Sequence, residues 1–211
     1  GETVMFRHEK RFENPPGMAL LINNTMEDSE VDARLEKFKR LQYERVGLTL
    51  RPELIAVKDE SGDASKFEAL VTKVKQNSDA GIILMSRNPD ILAAGVKVCA
   101  DQKPLLYAAT KDNLDSMAGL AKENSCPLAI KASSLEEAAD LTTKLTEAGV
   151  NDIVIDSGSR TVRQAFNDQV IIRSAALAKK FRSLGFPTIV FPCEMTDDPM
   201  KEAVIASMFV A

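Results

Sequence analysis

The 211 residues include no tryptophan, a single histidine, three cysteines and two tyrosines. The lone His8 sits in a charged run beside Arg7, Glu9 and Lys10 and reads as a surface residue, which leaves no Ser-His-Asp triad and no multi-histidine metal site. Cys99, Cys126 and Cys193 form no Cys-x-x-Cys pair, so neither a zinc site nor an iron-sulfur cluster is encoded locally. All three are expected to be reduced thiols, Cys99 as a helix packing residue. No apolar run approaches the ~20 residues that span a bilayer and no signal peptide opens the sequence, so no membrane association and a cytoplasmic location are expected. The net charge is −4, with Lys and Arg interleaved among Asp and Glu; there is no basic stripe, which argues against a nucleic-acid partner.

What the sequence does carry is one unit, repeated with variations. In its clearest copy Ile153, Val154 and Ile155 lead to Asp156, a Ser-Gly-Ser turn follows, and a segment of helical periodicity begins: strand, loop, helix. Three consecutive β-branched residues predict a strand buried on both faces, as in a parallel sheet covered by helices.

Residues 1–17 read as an N-terminal arm with a short strand at Val4, Met5 and Phe6 and a turn at Asn14-Pro15-Pro16-Gly17. Residues 18–211 read as one barrel domain. Strands are expected at 18–22, 54–57, 81–85, 104–107, 127–130, 152–155 and 188–191. A first helix over 29–45, with Gly47 just past its end, carries Val31, Leu35, Phe38 and Leu41 on one face. A second turns Phe67, Leu70, Val71 and Val74 inward. The third starts with Asn88 as cap and Pro89 at its first position, and the fourth packs Leu114, Met117 and Leu120 on the sheet. The fifth opens on a Ser-x-x-Glu capping box at Ser133 or Ser134 and ends at Gly149. A long helix with Val170, Ile171, Ala175, Leu177 and Phe181 as its apolar positions runs to Gly185, and a last helix covers 200–211.

Strands separated by helices in this way pair in parallel, which predicts an α/β fold, a TIM (β/α)8-type barrel, ahead of an open doubly wound sheet. The sequence stops inside an apolar helix with no further strand, so a barrel lacking its last strand is expected. The segment at Val4 or, preferentially, the rest of a longer polypeptide would fill the gap.

Chemistry in such a fold sits at the carboxyl ends of the strands, where the loops gather Asn23, Asn24, Lys58, Asp59, Arg87, Asn88, Thr110, Lys131, Asp156, Ser157 and Glu194. Asn23, Asn24 and Asp156 could hydrogen-bond the edge of a pterin. Lys131 could supply a cation or a Schiff-base amine. Asp156-Ser-Gly-Ser159 could cradle a phosphate with backbone amides. The plainer reading of each is favoured: Asn23 and Asn24 as turn residues, Lys131 paired with a carboxylate, Glu194 exposed, and Ser157 or Ser159 as a helix N-cap.

The opening Gly1-Glu-Thr-Val-Met-Phe-Arg-His-Glu-Lys10, the run Asp156-Ser-Gly-Ser-Arg160 with Arg163-Gln164-Ala165-Phe166, and Leu184-Gly-Phe-Pro-Thr-Ile-Val-Phe-Pro-Cys-Glu-Met195 resemble the large (gamma) subunit of the corrinoid/iron-sulfur protein. That family belongs to the acetyl-CoA synthase/carbon monoxide dehydrogenase system of the reductive acetyl-CoA (Wood-Ljungdahl) pathway. The resemblance runs along the whole sequence and implies a subunit with a four-iron four-sulfur domain, a central TIM barrel and a corrinoid (cobalamin) domain, of which this stretch is similar to the barrel only. It implies a heterodimer with the small subunit, and methyl transfer on cobalt between a methyltetrahydrofolate or other methyl-pterin methyltransferase and acetyl-CoA synthase. The barrel is then expected to be a non-catalytic scaffold with no cofactor of its own. A methyl-pterin-binding, methyltransferase-like barrel is the alternative, which an open, polar mouth would favour. No catalytic residue is carried over.

Overall fold

A computed structural model describes residues 2–4, 11, 12 and 16–210. β1 (Glu2–Val4) and β2 (Arg11–Phe12) form an antiparallel pair of their own. Met5, Phe6 and His8, and with them most of the expected first strand and the single histidine, lie outside the described residues. The remaining chain alternates strand and helix. Its elements are β3 (Ala19–Asn23), α1 (Asp28–Arg40), β4 (Tyr43–Arg45), β5 (Leu48–Leu50), β6 (Leu54–Lys58), α2 (Ala64–Asn77), β7 (Gly81–Met85), α3 (Pro89–Cys99), β8 (Leu105–Ala109), α4 (Leu114–Asn124), β9 (Leu128–Lys131), α5 (Leu135–Glu147), β10 (Ile153–Asp156), α6 (Val162–Leu177) and α7 (Pro199–Val210).

Six strands make one all-parallel sheet in the order β10-β9-β8-β7-β6-β3. Each new strand pairs with the one before it because the intervening helix carries the chain back across the outer face. Alternate residues therefore enter two different cores. Ile22, Ile55, Val57, Ile82, Leu84, Leu106, Leu128, Ile130, Ile153 and Ile155 face the helices and pack with Phe67, Leu92, Met117 and Leu145. Ala56, Ile83, Met85, Tyr107 and Ala129 face the other way, with Leu21 and Val154 against them. Leu21 of β3 and Val154 of β10, from opposite edges of the sheet, both pack against that second cluster, the side that a (β/α) barrel turns inward.

Helix starts follow their capping chemistry. Asp63 accepts from the Ser65 and Lys66 amides, Asn88 from the Asp90 amide with Pro89 behind it, and Ser134 from the Glu137 amide; each satisfies a first-turn N–H that has no partner within the helix. Gly95 lets α3 approach α2, since a Cβ there would stand 2.7 Å from Phe67.

Four expectations are corrected. The first helix stops at Arg40, and residues 43–50 form the β4–β5 hairpin instead; Gly47, at φ 75°, serves that turn and not a helix end, consistent with the β-branched and aromatic composition around it. α6 stops at Leu177 and buries Ala165 and Ile172. Its expected face is largely open: Val170, Ile171, Leu177 and Phe181 are all exposed. The N-cap of α6 is Thr161, which accepts from the Gln164 amide, and neither Ser157 nor Ser159 takes that place. Finally, residues 188–191 form no ladder; they make a single parallel bridge from Thr188 to Ile155.

Candidate functional site

The alternation that sorts the two cores also sends Lys58, Tyr107, Lys131 and Asp156 to the concave side at the carboxyl ends of their strands. Asp156 is 1% exposed, and a carboxylate so deep needs partners. It has them. Arg160 forks onto it, Nη1 donating to Oδ1 at 3.0 Å and Nη2 to Oδ2 at 2.7 Å. The Tyr107 hydroxyl donates to Oδ2 at 2.5 Å and the Gly158 amide to Oδ1 at 2.8 Å. Gly158 can hold that turn only as glycine, because its φ is +78° and a Cβ would lie 2.2 Å from the Ala132 carbonyl oxygen.

The rest of the guanidinium is held as firmly. Arg160 Nε donates to Glu194 Oε2 at 2.5 Å, and Nη2 lies 3.2 Å from the Tyr107 oxygen. Its central carbon stands 4.7 Å from the centre of the Phe191 ring, which meets Tyr107 edge-on at 5.2 Å. Glu194 in turn lies 3.8 Å from Lys58, itself 3.0 Å from Glu60. Burial and the adjacent Asp156 carboxylate both hold the Tyr107 hydroxyl protonated, raising its pKa. Burial works against the charge on Arg160, but the Asp156 hydrogen bonds more than offset it and the pKa of the guanidinium is raised. The net result is a plugged strand end: one arginine joins a carboxylate at the end of β10, a tyrosine of β8 and a glutamate beyond residue 191.

The other expected residues divide. Asn23 closes its own turn, its Oδ1 accepting from the Thr25 amide and hydroxyl. Asn24 ties two loops together, donating to Asp59 and Ser61 and accepting from the Glu60 and Ser61 amides. Asp59 also accepts from Ser86 at 3.0 Å. All are structural contacts of loops, and none reaches Asp156. Lys131 lies beside Asp156 in register but makes no ion pair among the described residues. Ser157 is buried. Glu194 is not merely exposed, as expected, but pairs with Arg160 and Lys58. Arg87 is exposed, Asn88 caps α3, and Thr110 donates its amide to Asn113. Sequence reasoning missed Tyr107, Arg160 and Phe191 as site residues. The legible signals were a polar-tipped ring at an inward strand position and an arginine four residues after a buried aspartate.

A four-iron four-sulfur cluster asks for four cysteine ligands, and the sequence has three. Cys99 and Cys126 are buried while Cys193 is exposed, and no metal-ligating group of three or more His, Cys, Asp or Glu occurs among the described residues. These residues do not fit such a cluster. Shallow concavities of about 370 Å3 and 450 Å3 lie on the outer faces of α1 and α2, away from the strand ends.

Fold and site together define a parallel (β/α) barrel with an internal arginine paired at the carboxyl end of β10. Solved structures with this fold include dihydropteroate synthase from Thermus thermophilus (TM-score 0.64, 13% identity, covering 97% of this chain and 87% of that one). Another is the enzyme from Xanthomonas albilineans in complex with 7,8-dihydropteroate (TM-score 0.57, 15% identity, 95% and 84%). At such identities the likeness is one of fold alone. A family model described as CO dehydrogenase/acetyl-CoA synthase delta subunit matches residues 1–205, and the chain belongs to that family. Among its relatives is the corrinoid/iron-sulfur protein large subunit of Moorella thermoacetica, 36% identical over 99% of this chain and 46% of the relative. The acetyl-CoA decarbonylase/synthase complex subunit gamma of Methanopyrus kandleri is 34% identical over 96% and 45%. The chain thus spans a little under half the length of these relatives.

Proposed function

We propose that this chain is the barrel scaffold of a corrinoid/iron-sulfur methyl carrier of the acetyl-CoA pathway. It positions protein partners and leaves the methyl chemistry to cofactors held elsewhere in the assembly. The partners are the small subunit of that carrier, a methyltetrahydropterin methyltransferase and acetyl-CoA synthase. The corrinoid and the four-iron four-sulfur cluster belong to other parts of the subunit, and the work is done in the cytoplasm. The observation that carries this reading is the state of Asp156: the carboxylate that a pterin would need is already bonded to Arg160, Tyr107 and Gly158. Its acceptor positions are filled by the protein itself, and Asn23 and Asn24 are committed to loop contacts. No helix among the described residues is long and apolar enough to cross a membrane, which agrees with a role in a complex away from the bilayer.

The test is isothermal titration of the folded chain with methyltetrahydrofolate, alongside co-purification with the small subunit. No saturable heat together with a stable one-to-one complex is expected. Saturable pterin binding that Asp156→Ala abolishes would overturn the scaffold reading and make the strand end an enzyme-like site.

A further inference from the structure

The plug is itself a recognition site in use. A planar guanidinium needs in-plane acceptors for its paired N–H groups, and its flat face is stabilised over an aromatic ring. Asp156 supplies the fork at 3.0 and 2.7 Å, Phe191 lies beneath at 4.7 Å, Glu194 takes the Nε N–H, and Nη1 also donates to the Ser159 carbonyl at 3.0 Å. The Tyr107 hydroxyl completes the rim, 3.2 Å from Nη2. Nothing in that set requires the guanidinium to come from the neighbouring residue. Arg160 reaches it across a three-residue turn, Ser157-Gly158-Ser159, and so acts as a ligand tethered to its own pocket.

We infer that Asp156, Tyr107, Phe191 and Glu194 form a pocket for a planar N–C–N donor edge, occupied in cis by Arg160, and that shortening this side chain lets the pocket take a guanidinium-type ligand in trans. A free cation is favoured over a neutral heterocycle with the same edge. Without Arg160 the pocket holds two carboxylates; Lys58, 3.8 Å from Glu194, and Lys131, beside Asp156 in register, are the cations that remain, and neither ammonium has the planar fork that the Asp156 carboxylate accepts. In the wild-type chain the short tether gives Arg160 an effective concentration of at least the millimolar order, so small free guanidines do not displace it. The strand end is closed by competition, not by a lack of binding groups. The inference stands on this geometry and does not depend on the scaffold role.

The experiment compares wild type, Arg160→Ala and Arg160→Ala/Asp156→Asn, each checked for folding by circular dichroism. Methylguanidine and the neutral 2-aminopyrimidin-4-one are the ligands and methylammonium the control. Binding is read by titration calorimetry and by the fluorescence of the tyrosines, in a chain with no tryptophan. Arg160→Ala is expected to bind methylguanidine at least ~10-fold more tightly than wild type and more tightly than methylammonium, since a point charge cannot use the fork. The Asp156→Asn addition is expected to remove that gain. Saturable binding of the neutral compound with the same Asp156 dependence supports recognition of the edge itself. A folded Arg160→Ala chain that binds neither compound, or that binds methylammonium equally well, overturns the inference. If Arg160→Ala does not fold, Arg160→Lys keeps a cation in place and loses the fork; methylguanidine must then bind it more tightly than wild type, and equal binding is again the overturning result. Pterin binding by wild type would defeat the scaffold reading and leave this comparison to be decided by its own variants.

Discussion

Residues 153–156 and residues 188–191 are both short apolar runs that follow a helix and a glycine, Gly149 in one case and Gly185 in the other, yet only the first enters the sheet. β10 pairs with β9 along four consecutive positions, from Ile153 opposite Leu128 to Asp156 opposite Lys131. The later run touches β10 once: Ile155 donates to the Pro187 carbonyl at 2.7 Å and receives the Ile189 amide at 2.9 Å. Prolines flank it at 187 and 192, and a proline has no N–H to give a ladder. No strand pairs with its far side among the described residues. What the backbone does not fix, side chains do. Thr188 bonds Gln169 at 2.7 Å, Phe191 enters the inner cluster, and Glu194 is held by Arg160. An element at the margin of a sheet is located by a few specific side chains, whereas an interior strand is located by its whole length. The polar plug is therefore both the closure of the strand end and the anchor of the marginal segment.

The marginal segment depends most heavily on Asp156. Asp156→Ala strands a half-buried guanidinium and removes the acceptor of the Tyr107 hydroxyl, which should cost about 3–5 kcal/mol. Urea unfolding measures the loss. Hydrogen exchange should show residues 187–194 opening well before β6 to β9, and uniform exchange of both regions would mean that the plug does not anchor the segment.

A smaller effect belongs to the ladder side, where Cys99 of α3 lies fully buried in the outer core. Burial pushes its thiol up from 9.0 to about 11. The unfolded thiol ionises above its ordinary value while the folded one stays neutral, so this contribution is intact below pH 9 and lost as pH rises from 9 to 11. The loss is on the order of 2–3 kcal/mol. Cys99→Ala should flatten the alkaline limb of stability against pH, with little change in the exchange of residues 187–194. An unchanged limb would exclude the thiol as its cause.

The mildest perturbation is Glu194→Gln, which keeps a hydrogen-bond acceptor for Arg160 and loses the charge. With the Glu194 side chain 33% exposed, global stability should fall by about 1 kcal/mol or less. Local protection of residues 191–194 should still drop several-fold, because that pair, not the ladder, holds them. Equal loss of protection in β10 would erase the distinction between the two regions.

Much of the fold was legible in residues alone, for a physical reason. A strand buried on both faces must be a continuous apolar run, and a helix on such a sheet must repeat its apolar positions every three or four residues. Hence β6, β7, β9 and β10, the inward set Phe67, Leu70, Val71 and Val74, and the caps Asn88 and Ser134 were all readable. The hairpin at 43–50 was not, because Phe38 and Leu41 carry the helical spacing up to its edge. Nor was the open face of α6, since period alone does not say which side finds a partner. The site was half readable: Asp156 announced itself at a strand end, and its ligands did not.

The sequence by itself determined the alternation of strand and helix, the parallel pairing that it enforces, and the placing of polar residues at the carboxyl ends, because each depends on neighbours within one or two turns of chain. Only the tertiary structure decided that the Tyr107 hydroxyl donates to Asp156, 49 residues away, and that Arg160 and Glu194, 34 apart, close over that bond. It also decided that residues 188–191 stay at the margin of the sheet. Those outcomes depend on the curl of the whole sheet, which sets the distances between strand ends and is written in no single segment.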